Sequence, residues 1–123
     1  MVVPGSASLD RRERRVLARL IDLLREALGE ELRAVWLYGS RARGERPSAD
    51  SDVDLIVVTQ GGRRRDLPVV TRLVTRAADA EGADPTRFAA HVFDPETVAY
   101  RREIESFFFR EVDRDKIVLF GSG

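Results

Sequence analysis

The chain has 123 residues, of which 34% are charged and 43% hydrophobic, and its 21 Lys and Arg residues balance 21 Asp and Glu residues. This composition is typical of a folded chain, and the zero net charge gives no argument for binding duplex nucleic acid. Cysteine is absent, which excludes disulfides, thiolate metal sites and cysteine nucleophiles. The length predicts one domain, residues 1–123, with an ordered core at about 8–121. Because the sequence shows neither a membrane-length apolar run nor a secretory signal pattern, we expect a cytoplasmic protein.

The first half of the chain predicts one helix and two strands. Apolar residues at three-to-four spacing predict a helix from about residue 8 to 28, closed by Gly29. A run rich in β-branched and aromatic residues predicts a first strand at 32–38. The segment 41–51 has the Arg, Gly, Pro and Ser content of a loop, which can begin with a short helical turn. A second strand is predicted at 52–59.

The second half of the chain predicts helices and strands in alternation. Asp66 is expected to cap a helix that ends near Gly82, and a third strand follows at 87–93. Asp94-Pro95 has the pattern of a cap followed by a proline in the first turn, and this helix is expected to continue to about residue 112. Residues 117–120 are the fourth predicted strand. This order predicts an α+β fold with a small mixed β-sheet and helices packed on one face.

The corner after the first strand, residues 38–44, is the first candidate for chemistry. Gly39 lets another group approach the backbone closely, and Ser40 adds a hydroxyl and successive amides, so the corner can form a nest for phosphate oxygens. Arg41 and Arg43 can add positive charge there. The same residues also suit an ordinary tight turn leaving a strand. The corner alone does not decide between the two interpretations.

Asp52 and Asp54 open the second predicted strand. Residues two apart in a strand point to the same face, so we expect the two carboxylates side by side, ~6.5–7 Å apart along the strand. Two like charges repel each other, and Mg²⁺, which takes oxygen ligands from carboxylates and substrate phosphates, would neutralise them. A solvated strand start is the alternative interpretation.

Together the two motifs are specific, because a hairpin would bring the phosphate corner to the carboxylate pair. Gly39-Ser40, an intervening loop and Asp52-Val53-Asp54 resemble the signature of the DNA polymerase β-like nucleotidyltransferase superfamily. The segments 39–44 and 51–55 more closely resemble its minimal nucleotidyltransferase (MNT) members. The resemblance extends from the first predicted helix to the last predicted strand and covers most of the chain. It implies the polymerase β-like nucleotidyltransferase core.

The resemblance implies a metal-dependent enzyme that transfers a nucleoside monophosphate, most often AMP from ATP, to an acceptor hydroxyl and releases pyrophosphate. Gly39-Ser40 would hold the β- and γ-phosphates, with Arg41 and Arg43 as further nucleotide contacts. Asp52 and Asp54 would be the catalytic residues and the ligands of two Mg²⁺ or Mn²⁺ ions.

The resemblance also implies a partner. MNT proteins often pair with a small helical HEPN protein, as antitoxin to its ribonuclease toxin and sometimes by adenylylating it. The expected acceptor is therefore a protein or an RNA, and a homo-oligomer is a further arrangement to consider. Independently of the resemblance, Phe107-Phe108-Phe109 spans too wide an arc of a helix for one buried face, which indicates a contact surface.

One departure from the family pattern bears on catalysis. The family usually places a third carboxylate on the next core strand, whereas residues 88–93 contain none. Asp84 precedes this strand, and Asp94 follows it at a position that favours helix capping. His91, the only histidine, is either a metal ligand or base, or a satisfied structural residue. The alternative function is therefore a weak or inactive module that binds and neutralises a helical partner. Transfer to a small-molecule hydroxyl is a third hypothesis.

Overall fold

The structure is a computed structural model that describes residues 1, 3–48 and 51–123. The helices within these ranges are α1 (Arg11–Leu28), α2 (Gly39–Ala42), α3 (Gly62–Ala80), α4 (Pro95–Glu103) and α5 (Phe107–Asp115). The strands are β1 (Leu32–Tyr38), β2 (Val53–Thr59), β3 (Phe88–Phe93) and β4 (Ile117–Gly121). Residues 49 and 50 of the predicted loop lie outside the described residues, as does residue 2.

The four strands form one mixed sheet in the order β3-β2-β1-β4. β1 lies in the middle and pairs antiparallel with both β2 and β4, whereas β2 and β3 are parallel. The parallel pair is joined through α3, since parallel neighbours need a crossover connection. The predicted α+β class and mixed sheet are confirmed.

Both faces of the sheet are apolar, so helices cover both. In β1, Val35 and Leu37 belong to one buried cluster and Ala34 and Trp36 to another, because alternate strand residues point to opposite faces. The long helices α1 and α3 pack on the first face, as predicted. The short helices α4 and α5 cover part of the second face, which the expectation of one helical face did not include. The residues they contribute are Val98, Phe109 and Val112.

The sequence signals for helix ends are partly confirmed. Asp10 caps α1 in a capping box with Glu13, and Gly29 ends the helix. The expectation that Asp66 caps α3 is wrong, because the helix begins four residues earlier at Gly62. Asp66 instead lies inside the helix, where its buried carboxylate accepts a hydrogen bond of 2.6 Å from the hydroxyl of Thr59.

The segment predicted as a single helix after Asp94 is two helices. The chain turns at residues 104–106, where Glu105 has a φ of 52°, and α5 then begins at Phe107. The break lets Phe109 reach the second face of the sheet beside α4, where it is 1% exposed. Phe107 remains 77% exposed, which confirms that the three phenylalanines do not share one buried face. None of the helices in the described ranges is long and apolar enough to cross a membrane.

Candidate functional site

The corner and the carboxylate pair meet at one end of the β1–β2 ladder. Tyr38, the last residue of β1, lies opposite Asp54 of β2. Gly39 follows Tyr38 directly, and Asp52 immediately precedes the first residue of β2. The structure therefore brings the two motifs together in the way that the hairpin argument predicted.

Gly39 meets two constraints at this corner. Its φ is +77°, a region that residues with a side chain rarely adopt. A Cβ atom built on Gly39 would lie only 2.6 Å from Oδ2 of Asp54, well inside ordinary van der Waals contact. Glycine at this position therefore lets the chain turn from β1 into α2 and lets the Asp54 carboxylate lie directly against the backbone.

The carboxyl group of Asp54 lies in an environment that disfavours its charge. Burial raises the pKa of Asp54 above its usual range, and the nearby negative charge of Asp52 raises this pKa further. His91, Arg41 and Arg43 oppose both effects and lower the pKa of Asp54. A cation at the two carboxylates would offset the remaining repulsion, so the electrostatics of the pair favour cation binding.

The donor chemistry of Asp52 and Asp54 fits Mg²⁺ or Mn²⁺. Both residues offer only carboxylate oxygens, the ligands that these hard divalent cations prefer. Within residues 1, 3–48 and 51–123, no group of three or more His, Cys, Asp and Glu residues is placed to hold a metal ion. The pair therefore suits an ion that completes its shell with water and substrate phosphate oxygens.

Three rings pack beside the carboxylates. The ring centroids of Tyr38 and Phe108 are 5.5 Å apart, and the imidazole of His91 lies 6.2 Å from the first ring and 6.4 Å from the second. Burial, reinforced by the charge of Asp54, raises the pKa of Tyr38 to about 12, so its phenol is neutral at physiological pH. His91 lies on β3 opposite Ile56 and shares the sheet face of Asp54. These contacts favour a packing role for His91.

A cavity of about 370 Å³ opens beside the corner. Its walls include Gly39, Arg43, Glu111 and the phenylalanines Phe107 and Phe108. A larger cavity, of about 580 Å³, lies beside α1 and the end of β4 and contains none of the predicted site residues. The smaller cavity borders the corner at Gly39 and Arg43.

Ser40 is half-buried and Arg43 is exposed in the corner. The carbonyl oxygen of Ser40 accepts a hydrogen bond of 3.0 Å from the backbone of Glu45. The exposed guanidinium of Arg43 pairs with the carboxylate of Glu45 at 2.7 Å and lies 3.6 Å from Asp115. The nucleotide contacts predicted for Ser40 and Arg43 stay predictions.

Arg41 occupies a different environment from Arg43. Although it follows Ser40 in the motif, Arg41 is only 5% exposed and points into the protein. Its Nη1 donates to both carboxylate oxygens of Glu13, at 2.8 and 2.9 Å, and to the carbonyl oxygen of Ser8 at 2.9 Å. Its Nε donates to Oγ of Ser51 at 2.8 Å, and its Nη2 to the Ser51 carbonyl oxygen at 3.2 Å. These hydrogen bonds connect the corner with α1 and with the residue before Asp52.

Sequence reasoning missed Glu13 as part of this arrangement. The only local signal of Glu13 is its place in the capping box with Asp10, which explains the residue without reference to any site. Arg41 lies 28 residues further along the chain. No helix or strand periodicity relates residues so far apart, so the pairing became visible only in the folded chain.

The carboxylates that flank β3 cap helical turns. Asp94 accepts a hydrogen bond of 3.3 Å from the backbone of Thr97, which confirms the capping interpretation. Because β2 and β3 are parallel, Asp94, which follows the end of β3, lies at the opposite end of these strands from Asp54, near the start of β2. Asp84 accepts a hydrogen bond of 2.9 Å from the backbone of Thr86 at the turn before β3. In the described structure, neither residue joins Asp52 and Asp54 as a third metal ligand.

Known proteins resemble this chain in sequence and in fold. A family described as the nucleotidyltransferase domain matches residues 17–107, a segment that contains both motifs. No curated protein matches the chain significantly.

Among solved structures, a variant of the toxin-antitoxin complex MntA-HpeT is 18% identical, with a TM-score of 0.53 over 85% of this chain and 73% of the matched chain. A second variant of that complex is 19% identical, with a TM-score of 0.51 over 86% and 72%. A toxin-antitoxin structure with AMP-PNP is 21% identical, with a TM-score of 0.53 over 85% and 73%. At these identities the likeness shows a shared fold.

Proposed function

The chain belongs to the nucleotidyltransferase domain family, and we propose that it transfers AMP from ATP to a hydroxyl group of a protein or RNA acceptor. Membership confirms the predicted resemblance and the expectation of a nucleotidyltransferase. The observation that carries the finer proposal is the contact between Gly39 and Asp54, because it joins a backbone corner suited to phosphate with a carboxylate pair suited to a divalent cation.

In the proposed reaction the residues of the site have distinct roles. The Gly39-Ser40 corner receives the β- and γ-phosphates, and exposed Arg43 adds positive charge beside them. Asp52 and Asp54 hold Mg²⁺ or Mn²⁺, and these ions, when bound, neutralise charge on the attacking and leaving oxygens of the displacement. The cavity walled by Phe107 and Phe108 leaves the corner open to solvent, which suits an acceptor that arrives from outside the chain.

We propose that the acceptor or its carrier is a small helical protein of the HEPN type, bound in a cytoplasmic toxin-antitoxin pair. Two observations support this partner. The structural neighbours include toxin-antitoxin complexes. Phe107 exposes an aromatic side chain at the cavity beside the corner, and exposed aromatic surface is characteristic of protein contacts.

Calorimetric titration of ATP into the purified chain tests the nucleotide site. With Mg²⁺ present we expect binding that disappears in chelator and in the double variant Asp52→Asn/Asp54→Asn. Transfer is then tested with α-labelled ATP and a co-purified partner protein or RNA, with the double variant as control. Label in the acceptor that depends on both carboxylates supports the proposal, whereas metal-independent ATP binding that the double variant retains contradicts it.

A second candidate function is a binding module that neutralises its partner without turnover. Within the described residues, no group of three or more His, Cys, Asp and Glu side chains is placed to hold a metal ion, which favours this alternative. The two functions differ in the consequence of Asp52→Asn/Asp54→Asn. A module without turnover should still neutralise its partner after this change, whereas an enzyme that acts by modification should not.

A further inference from the structure

We infer that Arg41 is a positioning residue that holds the Asp52 carboxylate beside Asp54. The guanidinium of Arg41 ties the residue before Asp52 to the first turn of α1, and this connection sets the position of Asp52 at the site. The inference rests on the proposed function, since it takes Asp52 as a metal ligand.

The first support is the arrangement of donors around Arg41. All three guanidinium nitrogens donate to protein acceptors, and the side chain is 5% exposed. The two bonds to Ser51 engage both its hydroxyl and its carbonyl oxygen, at 2.8 and 3.2 Å. A fork of parallel donors restricts direction as well as distance. Ser51 is thereby held in one orientation relative to α1.

The second support is the position of Asp52 relative to the sheet. The ladder between β1 and β2 ends at the pair Tyr38 and Asp54, and β2 itself begins at Val53. Asp54 is therefore held by strand pairing, whereas Asp52 lies just outside the ladder at the end of a loop. The bonds from Arg41 to Ser51 act at the residue next to Asp52, where the ladder no longer constrains the backbone.

The third support is the cost of any other role for this side chain. To reach a phosphate, Arg41 would have to leave Glu13, whose side chain is only 16% exposed. An ion pair that loses one partner in a partly buried place leaves an uncompensated charge, which is strongly destabilising. Arg43, two residues later, pairs with a Glu45 side chain that is 55% exposed, so this arginine can turn to a nucleotide at a lower cost.

The affinity of the protein for Mn²⁺ alone, measured by electron paramagnetic resonance, tests the inference. The two possible roles of Arg41 predict opposite changes in this affinity. If Arg41 acted only through its charge, Arg41→Gln would remove a positive charge near a cation site and tighten Mn²⁺ binding. If Arg41 positions Asp52, the same change weakens Mn²⁺ binding by roughly tenfold or more, as loss of residues that orient metal ligands does. Arg19→Gln is the matched control, because it removes the same charge from an ion pair of α1 with Glu81 away from the site.

Two further variants keep the outcome decisive. Ser51→Ala changes no charge and removes one of the two bonds to Ser51, so it should weaken Mn²⁺ binding even if Arg41→Gln does not fold. Asp52→Asn tests the premise. If Asp52→Asn leaves Mn²⁺ affinity at the wild-type level, the proposed function fails together with the inference. If Asp52→Asn weakens binding while Ser51→Ala and folded Arg41→Gln do not, the inference alone is overturned.

Discussion

Oδ2 of Asp54 lies 2.6 Å from the place that a Cβ atom on Gly39 would occupy. Gly39→Ala therefore adds a close contact with Asp54 to the strain of a φ of +77°. We expect the free energy of unfolding to fall by about 1–3 kcal/mol and Mg²⁺-dependent ATP binding to be lost, since either the carboxylate or the corner must move. Urea unfolding and calorimetric titration measure the two effects.

Gly82→Ala is the matched control for this prediction. Gly82 has a φ of +67°, but nothing lies within 4 Å of an added Cβ atom. The Gly82→Ala variant should therefore lose only the free energy of unfolding that the strained backbone costs, about 1–2 kcal/mol, and should bind ATP like the wild type. Equal ATP affinity in the Gly39→Ala and Gly82→Ala variants would contradict the role assigned to the corner.

The pH dependence of stability should reveal the raised pKa of Asp54. Because folding raises this pKa, the folded metal-free protein takes up a proton before the unfolded chain does, and the wild type gains stability as pH falls toward 3.8. Asp54→Asn should abolish this gain, so the wild type should become more stable relative to the variant between about pH 7 and pH 4. Urea unfolding over this range in chelator measures the difference. A flat difference would mean that the folded site does not perturb Asp54.

Asp66 should show the opposite sign. Hydrogen bonds from Arg65, together with that from Thr59, hold the pKa of Asp66 below its usual value of 3.8. This carboxylate stabilises the fold above pH 3.8, and the contribution is lost as pH falls through the lower folded pKa. At neutral pH we expect Asp66→Asn to lower the free energy of unfolding by about 1.5–3 kcal/mol.

Asp79→Asn provides the control for Asp66, because it changes an exposed carboxylate on the same helix. Its effect on the free energy of unfolding should stay within about 0.5 kcal/mol. Urea unfolding at neutral and acidic pH compares the two variants. If Asp79→Asn lowered the free energy of unfolding as much as Asp66→Asn does, the hydrogen bonds of Asp66 would not be the source of the effect.

The phenylalanines of α5 should separate stability from partner binding. Phe109 is 1% exposed, so Phe109→Ala should cost about 3–5 kcal/mol of unfolding free energy. Phe107 is 77% exposed, so Phe107→Ala should change the stability of the isolated chain by less than about 0.5 kcal/mol.

In the complex, Phe107→Ala should weaken binding of the partner protein. Calorimetric titration with the partner protein measures this effect, and Tyr100→Ala, which changes another exposed aromatic residue, is the control. Equal affinity of the Phe107→Ala and Tyr100→Ala variants for the partner would count against this surface.

The local sequence pattern was sufficient to predict most of the helices and strands. Apolar spacing and Gly29 predicted α1 almost to its ends, and the β-branched and aromatic content predicted β1 and β2. The exceptions have tertiary causes. α3 begins before Asp66 because this carboxylate is used by Thr59 in the preceding strand. The last predicted helix breaks at Glu105 because Phe109 packs on the second face of the sheet.

The candidate site likewise has features that the local sequence predicts and features that only tertiary contacts decide. The sequence by itself predicted that Asp52 and Asp54 share one strand face, because strand residues two apart point the same way, and that a hairpin brings Gly39-Ser40 to this pair. The sequence did not determine that Arg41 turns inward while Arg43 stays exposed. That difference arises because Glu13 of α1 and Ser51 of the loop converge on Arg41 only after the chain has folded, and a partly buried carboxylate requires a partner that propensity and periodicity do not identify.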